Sequence, residues 1–221
     1  MVSGEPAEST SSPSASLIIE SLEKKGSRGE RLEVRLSDGS FFFMLRDVFL
    51  AAGLGKGDVL DAARIRSLQE LSTVREAENK ALGLLARSPH STWGLRGKLL
   101  RRGYDRELIE RVLERLAAAG YLNDAEYARE WLRQRLRRHP EGRPLLLAGL
   151  LQRGVERGTA ESALNSVFDS QAEAEAVRTL LDKLSRTGGA SLSLAEAERR
   201  LRNRRFSVRA VREALAEYPD P

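Results

Sequence analysis

The chain changes its hydrophobic period along its length, and the changes divide it. Residues 1–16 (MVSGEPAESTSSPSAS) hold almost no large apolar side chain, so they bury too little surface to offset their ordering entropy. A disordered tail is expected there. Between Arg31 and Leu45 the period is two. Leu32, Val34 and Leu36 alternate with Glu33 and Arg35, Ser37-Asp38-Gly39-Ser40 interrupts, and Phe41 to Leu45 follows. An Asp-Gly pair between β-formers predicts a two-stranded hairpin whose turn has two positive φ angles. The following stretch, with Val48, Phe49, Leu50 and Leu54, reads as a helix covering the hairpin's apolar face, and Asp61 to Leu71 as a second short helix.

From Thr73 onward the period is helical. Within SPHSTWGLRGKLLRRGYDRELIERVLERLAAAGYLND, residues 88–124, Ser91 is placed to cap a helix carrying Leu95, Leu99 and Leu100. Gly103 stops that helix, since glycine takes the left-handed conformation without a Cβ penalty. Asp105 caps the next, which carries Leu108, Ile109, Val112, Leu113 and Leu116 and ends at Gly120. Displaced by 51 residues, Leu95, Leu99, Gly103, Tyr104, Ile109, Val112 and Leu113 become Leu146, Leu150, Gly154, Val155, Ala160, Ala163 and Leu164. A second displacement gives Ala197, Leu201, Arg205, Phe206, Val211, Ala214 and Leu215, and the cap position recurs as Ser91, Gly142 and Ser193. Agreement of core, cap and turn at one spacing indicates tandem repeats. In the third, Arg205 replaces the turn glycine, which predicts a helix end that is looser, or closed without a left-handed residue.

Thr73 with Glu76, Asn123 with Glu126 and Ser193 with Glu196 form capping-box patterns, and Pro89, Pro140 and Pro144 fall at breaks. The predicted helices are 76–87, 91–102 and 106–119; 124–138, 143–153 and 158–168; and 171–186, 193–204 and 208–217. The expected fold is therefore mainly α: three tandem three-helix repeats forming an elongated curved arm, with a small N-terminal β-hairpin/α cap. Its expected divisions are a tail at 1–16, an α+β segment at 17–72, and repeats at 73–123, 124–170 and 171–221.

Composition narrows the function. There is no cysteine, hence neither a disulfide scaffold nor a thiolate site. No apolar run approaches the roughly 20 residues that span a bilayer, and the first residues lack a secretory pattern, so a monomeric cytoplasmic protein without membrane association is expected. Residues 1–76 hold 10 Lys and Arg against 12 Asp and Glu, a net charge of −2; residues 77–221 hold 27 against 20, a net charge of +7. The repeats are the basic part.

Nothing in the pattern predicts catalysis, a cofactor or a metal. GLGKGD at 53–58 lacks the Ser or Thr after its lysine and the parallel βα setting of a phosphate loop. His90 and His139 each lie beside a proline, with no partner at metal-ligand spacing, and read as surface loop residues. Trp131 and Tyr127 form a core stripe, while Trp93, in the first turn of its helix beside basic residues, is a candidate exposed ring. The unusual feature is arginine. Arg101 and Arg102, then Arg133, Arg135, Arg137 and Arg138, then Arg199, Arg200, Arg202, Arg204 and Arg205 gather near helix ends. Part of this complements helix dipoles, but like charges this dense call for an anionic partner. These eleven are the expected partner-binding residues.

The segment LARSPHSTWGLRGKLLRRGYDRELIERVLERLAAAGYLNDAEYAREWLRQRLRR, residues 85–138, resembles the opening repeat of the RecX family, regulators of the recombinase RecA. The resemblance rests on the serine-headed helix at Ser91, the Leu95-to-Tyr104 turn, Gly120-Tyr121-Leu122-Asn123-Asp124 and the pair Tyr127-Ala128, and it extends over about 76–217. The sequence departs from the family pattern at the apolar Gly142-Arg143-Pro144-Leu145-Leu146-Leu147 and at Arg205. The resemblance implies a non-enzymatic protein of DNA repair, homologous recombination and the SOS response. It would bind in the groove of the RecA nucleoprotein filament and modulate, by inhibition, its extension, ATP hydrolysis and strand exchange. Single- or double-stranded DNA is a further implied partner. The residues themselves leave open a direct DNA-binding helical-repeat protein that acts without RecA.

Overall fold

A computed structural model describes residues 16–26, 29–187 and 193–217, and its chain divides into two compact units, 1–80 and 81–221. The expected tail lies, but for Ser16, outside the described residues.

The first unit is built on a sheet larger than the hairpin read from the sequence. Strands β1 (Leu17–Lys25), β2 (Arg31–Leu36) and β3 (Phe41–Leu45) are followed by helix α1 (Arg46–Ala51) and the short strand β4 (Val59–Leu60). The sheet order is β3-β2-β1-β4, and every pairing is antiparallel. Strand β1 was not predicted because its single buried position is Ile19, and a bulge between Ile19 and Ser21 breaks its register. The β2–β3 turn has one positive φ, at Gly39 (81°), where two were expected. Gly39 N–H donates to the Leu36 carbonyl and Leu36 N–H to the Ser40 carbonyl, so the loop is longer than a two-residue turn. Ile19, Val34, Leu36, Phe42, Met44 and Phe49 form the core of this unit with Leu60 and Leu68. The GLGKGD glycines turn the chain into β4, with Gly55 N–H on Asp58 Oδ2 at 2.8 Å.

Helix α2 runs unbroken from Ala62 to Leu85, against the expectation of two helices parted at Thr73. Thr73 does not cap. Its hydroxyl donates back to the Gln69 carbonyl at 2.8 Å within the helix, and the Glu76 carboxylate pairs with Arg31 of β2. A local capping signal lost to the favourable continuation of a helical run.

The second unit has the predicted repeats. After the end of α2 come α3 (Thr92–Leu100) and α4 (Arg106–Ala118); then α5 (Asp124–Arg138), α6 (Arg143–Leu151) and α7 (Arg157–Val167); then α8 (Ser170–Thr187), α9 (Leu194–Asn203) and α10 (Val208–Ala216). Leu95, Leu146 and Ala197 are fully buried, as are Leu99, Leu150 and Leu201 one turn later. The caps form as read: Ser91 accepts from Gly94 N–H, Asp105 from Leu108, Asn123 from Glu126 and Ser193 from Glu196. Gly103, Gly120 and Gly154 have φ of 85°, 78° and 73°.

The third repeat overturns one expectation. Arg205, in place of the turn glycine, takes φ 58°, the single positive value at a non-glycine residue among those described. The turn therefore closes in the same hand as the other two, although the arginine Cβ makes that hand cost about 1–2 kcal/mol. The backbone geometry of the repeat prevails over residue preference.

Candidate functional site: arginine clusters and repeat junctions

Each repeat meets the next where the N-cap of its second helix touches the following repeat's turn. At the first junction Ser91 Oγ donates to the Arg153 carbonyl at 2.6 Å. Displaced by 51 residues, Gly142 N–H donates to the Arg204 carbonyl at 2.8 Å. The side chain changes and the contact persists. A Cβ on Gly142 would lie 1.9 Å from the Arg205 carbonyl oxygen, so glycine is required by the close approach of two backbones. A Cβ on Gly154 would meet Trp93 Cβ and Cγ at 2.3 Å, so the first junction is filled by a ring lying on the glycine. Trp93 nonetheless remains 56% exposed.

The eleven arginines separate into those that hold the fold and those that face solvent. Glu141 is 6% exposed, between the Pro140 break and α6. Arg135 reaches it with two parallel bonds of 2.7 and 3.0 Å, and Arg204 with one of 3.1 Å. Burying a carboxylate is costly unless it is paired and hydrogen-bonded in this way. Arg135 and Arg204 thus share an ion pair within the molecule while keeping part of their side chains exposed. No local pattern announced it, because Glu141 and Arg204 are 63 positions apart.

The others are exposed or half-exposed, mostly beside glutamates of their own helix. Arg133 lies 3.5 Å from Glu130, Arg137 lies 4.0 Å from Glu130, and Arg199 and Arg200 lie 3.7 and 2.5 Å from Glu196. Arg202 lies 2.6 Å from Glu198. Such exposed pairs contribute only about 0.3–0.5 kcal/mol each, so they yield to a better partner. Arg102 donates to the Lys98 carbonyl of its own helix at 2.9 Å. The Arg137 and Arg138 carbonyls accept from Lys183 Nζ at 2.6 and 3.0 Å, which closes the end of α5. Arg101, Arg102, Arg138 and Arg205 form no ion pair with a carboxylate among the described residues.

Residues 77–116 match the family model "RecX, first three-helix domain", and residues 123–164 match "RecX, second three-helix domain". A regulatory protein RecX of Treponema pallidum is 41% identical over 141 residues, 64% of this chain and 84% of that protein. One from Prosthecochloris aestuarii is 37% identical over 147 residues, 66% of this chain and 95% of that protein. The chain belongs to the RecX family. A crystal structure of a regulatory protein RecX superposes with a TM-score of 0.70 over 91% of this chain and all of that one. Its 22% identity supports the fold alone. The family is regulatory and is not an enzyme family.

Three further observations complete the site. Arg153, the residue 51 positions after Arg102, was not singled out in the sequence; its guanidinium lies 4.6 Å from the centre of the Trp131 ring and donates to the Gly149 carbonyl. His90 lies in the loop before α3, as read, but is half-buried, with Nε2 accepting from Lys98 Nζ at 2.9 Å. Burial first, and then the Lys98 charge, hold its pKa below the ordinary histidine value. Among the described residues no cluster of three or more His, Cys, Asp or Glu could hold a metal, and no helix is long and apolar enough to cross a membrane.

Proposed function

We propose that this chain regulates RecA by binding in the groove of the RecA–DNA filament and limiting its extension, ATP hydrolysis and strand exchange. The observation that carries the reading is membership of the RecX family. The exposed arginines supply the chemistry: a guanidinium pairs in bidentate fashion with carboxylates and phosphates alike. Arg101 and Arg102, at the α3 end, are exposed and have no carboxylate partner among the described residues, so they are available to the filament. The protein is a cytoplasmic monomer in this reading, has no catalytic residue of its own, and changes ATP turnover only where RecA is present.

The test is RecA ATPase and strand exchange on preformed filaments, comparing the native chain with Arg101→Glu/Arg102→Glu. Two charge-assisted contacts at about 1.5 kcal/mol each predict roughly a hundredfold loss of potency. Arg204→Glu is unsuitable, since it would set a carboxylate against buried Glu141. Unchanged filament modulation, with binding to free DNA lost, would favour direct DNA binding without RecA instead.

A further inference from the structure

The second junction differs from the first in what it leaves open. Beyond the Gly142 contact lies a cleft of about 760 Å3 whose walls include Arg143, Arg202, Arg205, Pro144, Phe168 and Val208. At the first junction the positions equivalent to the three arginines are Thr92, Leu151 and Gly154, and Trp93 lies on that glycine. The cationic cleft therefore belongs to the second junction and is no general product of the repeat.

Its walls also hold two carboxylates, Asp169 and Glu173, against the three arginines, and both are turned to neutral donors of the fold. Asp169 Oδ1 accepts from Ala172 N–H at 2.8 Å, and Glu173 accepts from Ser207 N–H at 2.8 Å and Ser207 Oγ at 2.9 Å. Two of the three arginines, Arg143 and Arg205, form no ion pair with a carboxylate among the described residues. Arg143 donates to the neutral Asn165 amide, Arg202 has the exposed Glu198 pair, and Arg205 has no ion pair among the described residues. Arg205 also occupies a left-handed backbone conformation that glycine adopts freely. Strain of this kind at one side chain, held over an open cleft, points from the outlier to a role for that side chain.

We propose that the α6/α9–α10 cleft binds an acidic polypeptide segment, its carboxylates held by Arg143, Arg202 and Arg205 and an apolar side chain resting on Pro144 and Val208. A protein segment fits better than nucleic acid. The cleft's rings, Phe168 and Phe206, are only 5% and 6% exposed and offer no face on which bases could stack, whereas Val208 is 68% exposed. The volume suits a few residues of an extended chain.

This site adds to the filament reading without depending on it, because it is tested on the protein alone. The probe is a labelled short peptide of glutamate and leucine, followed by fluorescence anisotropy, against the same peptide with glutamine in place of glutamate and against an oligothymidylate. The glutamate peptide should bind, weaken with added salt, and lose about tenfold in affinity with either Arg143→Gln or Arg205→Gly. Arg205→Gly should at the same time raise the melting midpoint, separating loss of the ligand contact from loss of fold. Equal binding of the glutamine peptide, or unchanged affinity in both variants, overturns the proposal. So does tighter, arginine-dependent binding of the oligothymidylate. Failure of the Arg101→Glu/Arg102→Glu filament test would leave this result standing, and the reverse also holds.

Discussion

The two repeat junctions solve one problem in different ways. Each must satisfy the carbonyl that precedes the turn residue of the next repeat, Arg153 in one case and Arg204 in the other. The first uses a serine hydroxyl, which spans the gap and also caps its own helix through Gly94 N–H. The second uses the backbone N–H of Gly142, which brings two backbone segments close enough to exclude any side chain. The first is then covered by Trp93, while the second is braced by Glu141 with its two arginines and keeps an open cleft. What repeats every 51 residues is a place of approach between backbones. The chemistry that fills it is local to each junction.

This contrast can be broken most sharply at Gly142. Its replacement by alanine drives a Cβ into a backbone carbonyl that has no flexible end to move, so we expect a loss of about 3 kcal/mol in chemical denaturation. A loss under about 1 kcal/mol would falsify the close-approach account. Next in size is Glu141→Ala, which leaves Arg135 and Arg204 without their shared partner. Both arginines are more than a third exposed and regain water readily, so the expected cost is about 2 kcal/mol, below that of a fully buried pair. Combining it with Arg135→Ala should cost less than the two single changes added together, and strict additivity would count against a shared clamp. The smallest effect is expected at the first junction. Ser91→Ala removes both a cap and the bond to the Arg153 carbonyl, for about 1.5 kcal/mol. If it matched Gly142→Ala, the two junctions would not differ in kind.

Most of the helical part was readable because each end of each element carries its own signal. Asp105, Asn123 and Ser193 cap where their side chains dictate, and Gly103 and Gly154 are left-handed as their position after a periodic run requires. The losses arose where a residue's role is decided elsewhere in the chain. Thr73 and Glu76 spell a cap, yet the hydroxyl turns back into its helix and the carboxylate goes to Arg31. Leu17–Lys25 has a sequence with one committed inward position and becomes a strand because β2 pairs with it. The arginines are the clearest case. Arg202 and Arg204 look alike in sequence, but one is paired with an exposed glutamate and the other with a buried one from another repeat. Arg143, a single arginine before a proline, carries no signal in the sequence until the fold sets it beside Arg202 and Arg205.

The pair of hydrogen bonds from Ser207 to Glu173 also bears on the order in which the C-terminal part opens and closes. Helix α10 has nine residues, too few to persist alone in water, and its first turn is completed by a carboxylate on α8. Its amide hydrogens should therefore exchange with solvent at the rate at which α8 and α10 separate, and not progressively from the last turn of α10. Native-state exchange would then register the two helices as one opening unit, with the Ser207 amide reporting the moment at which they part.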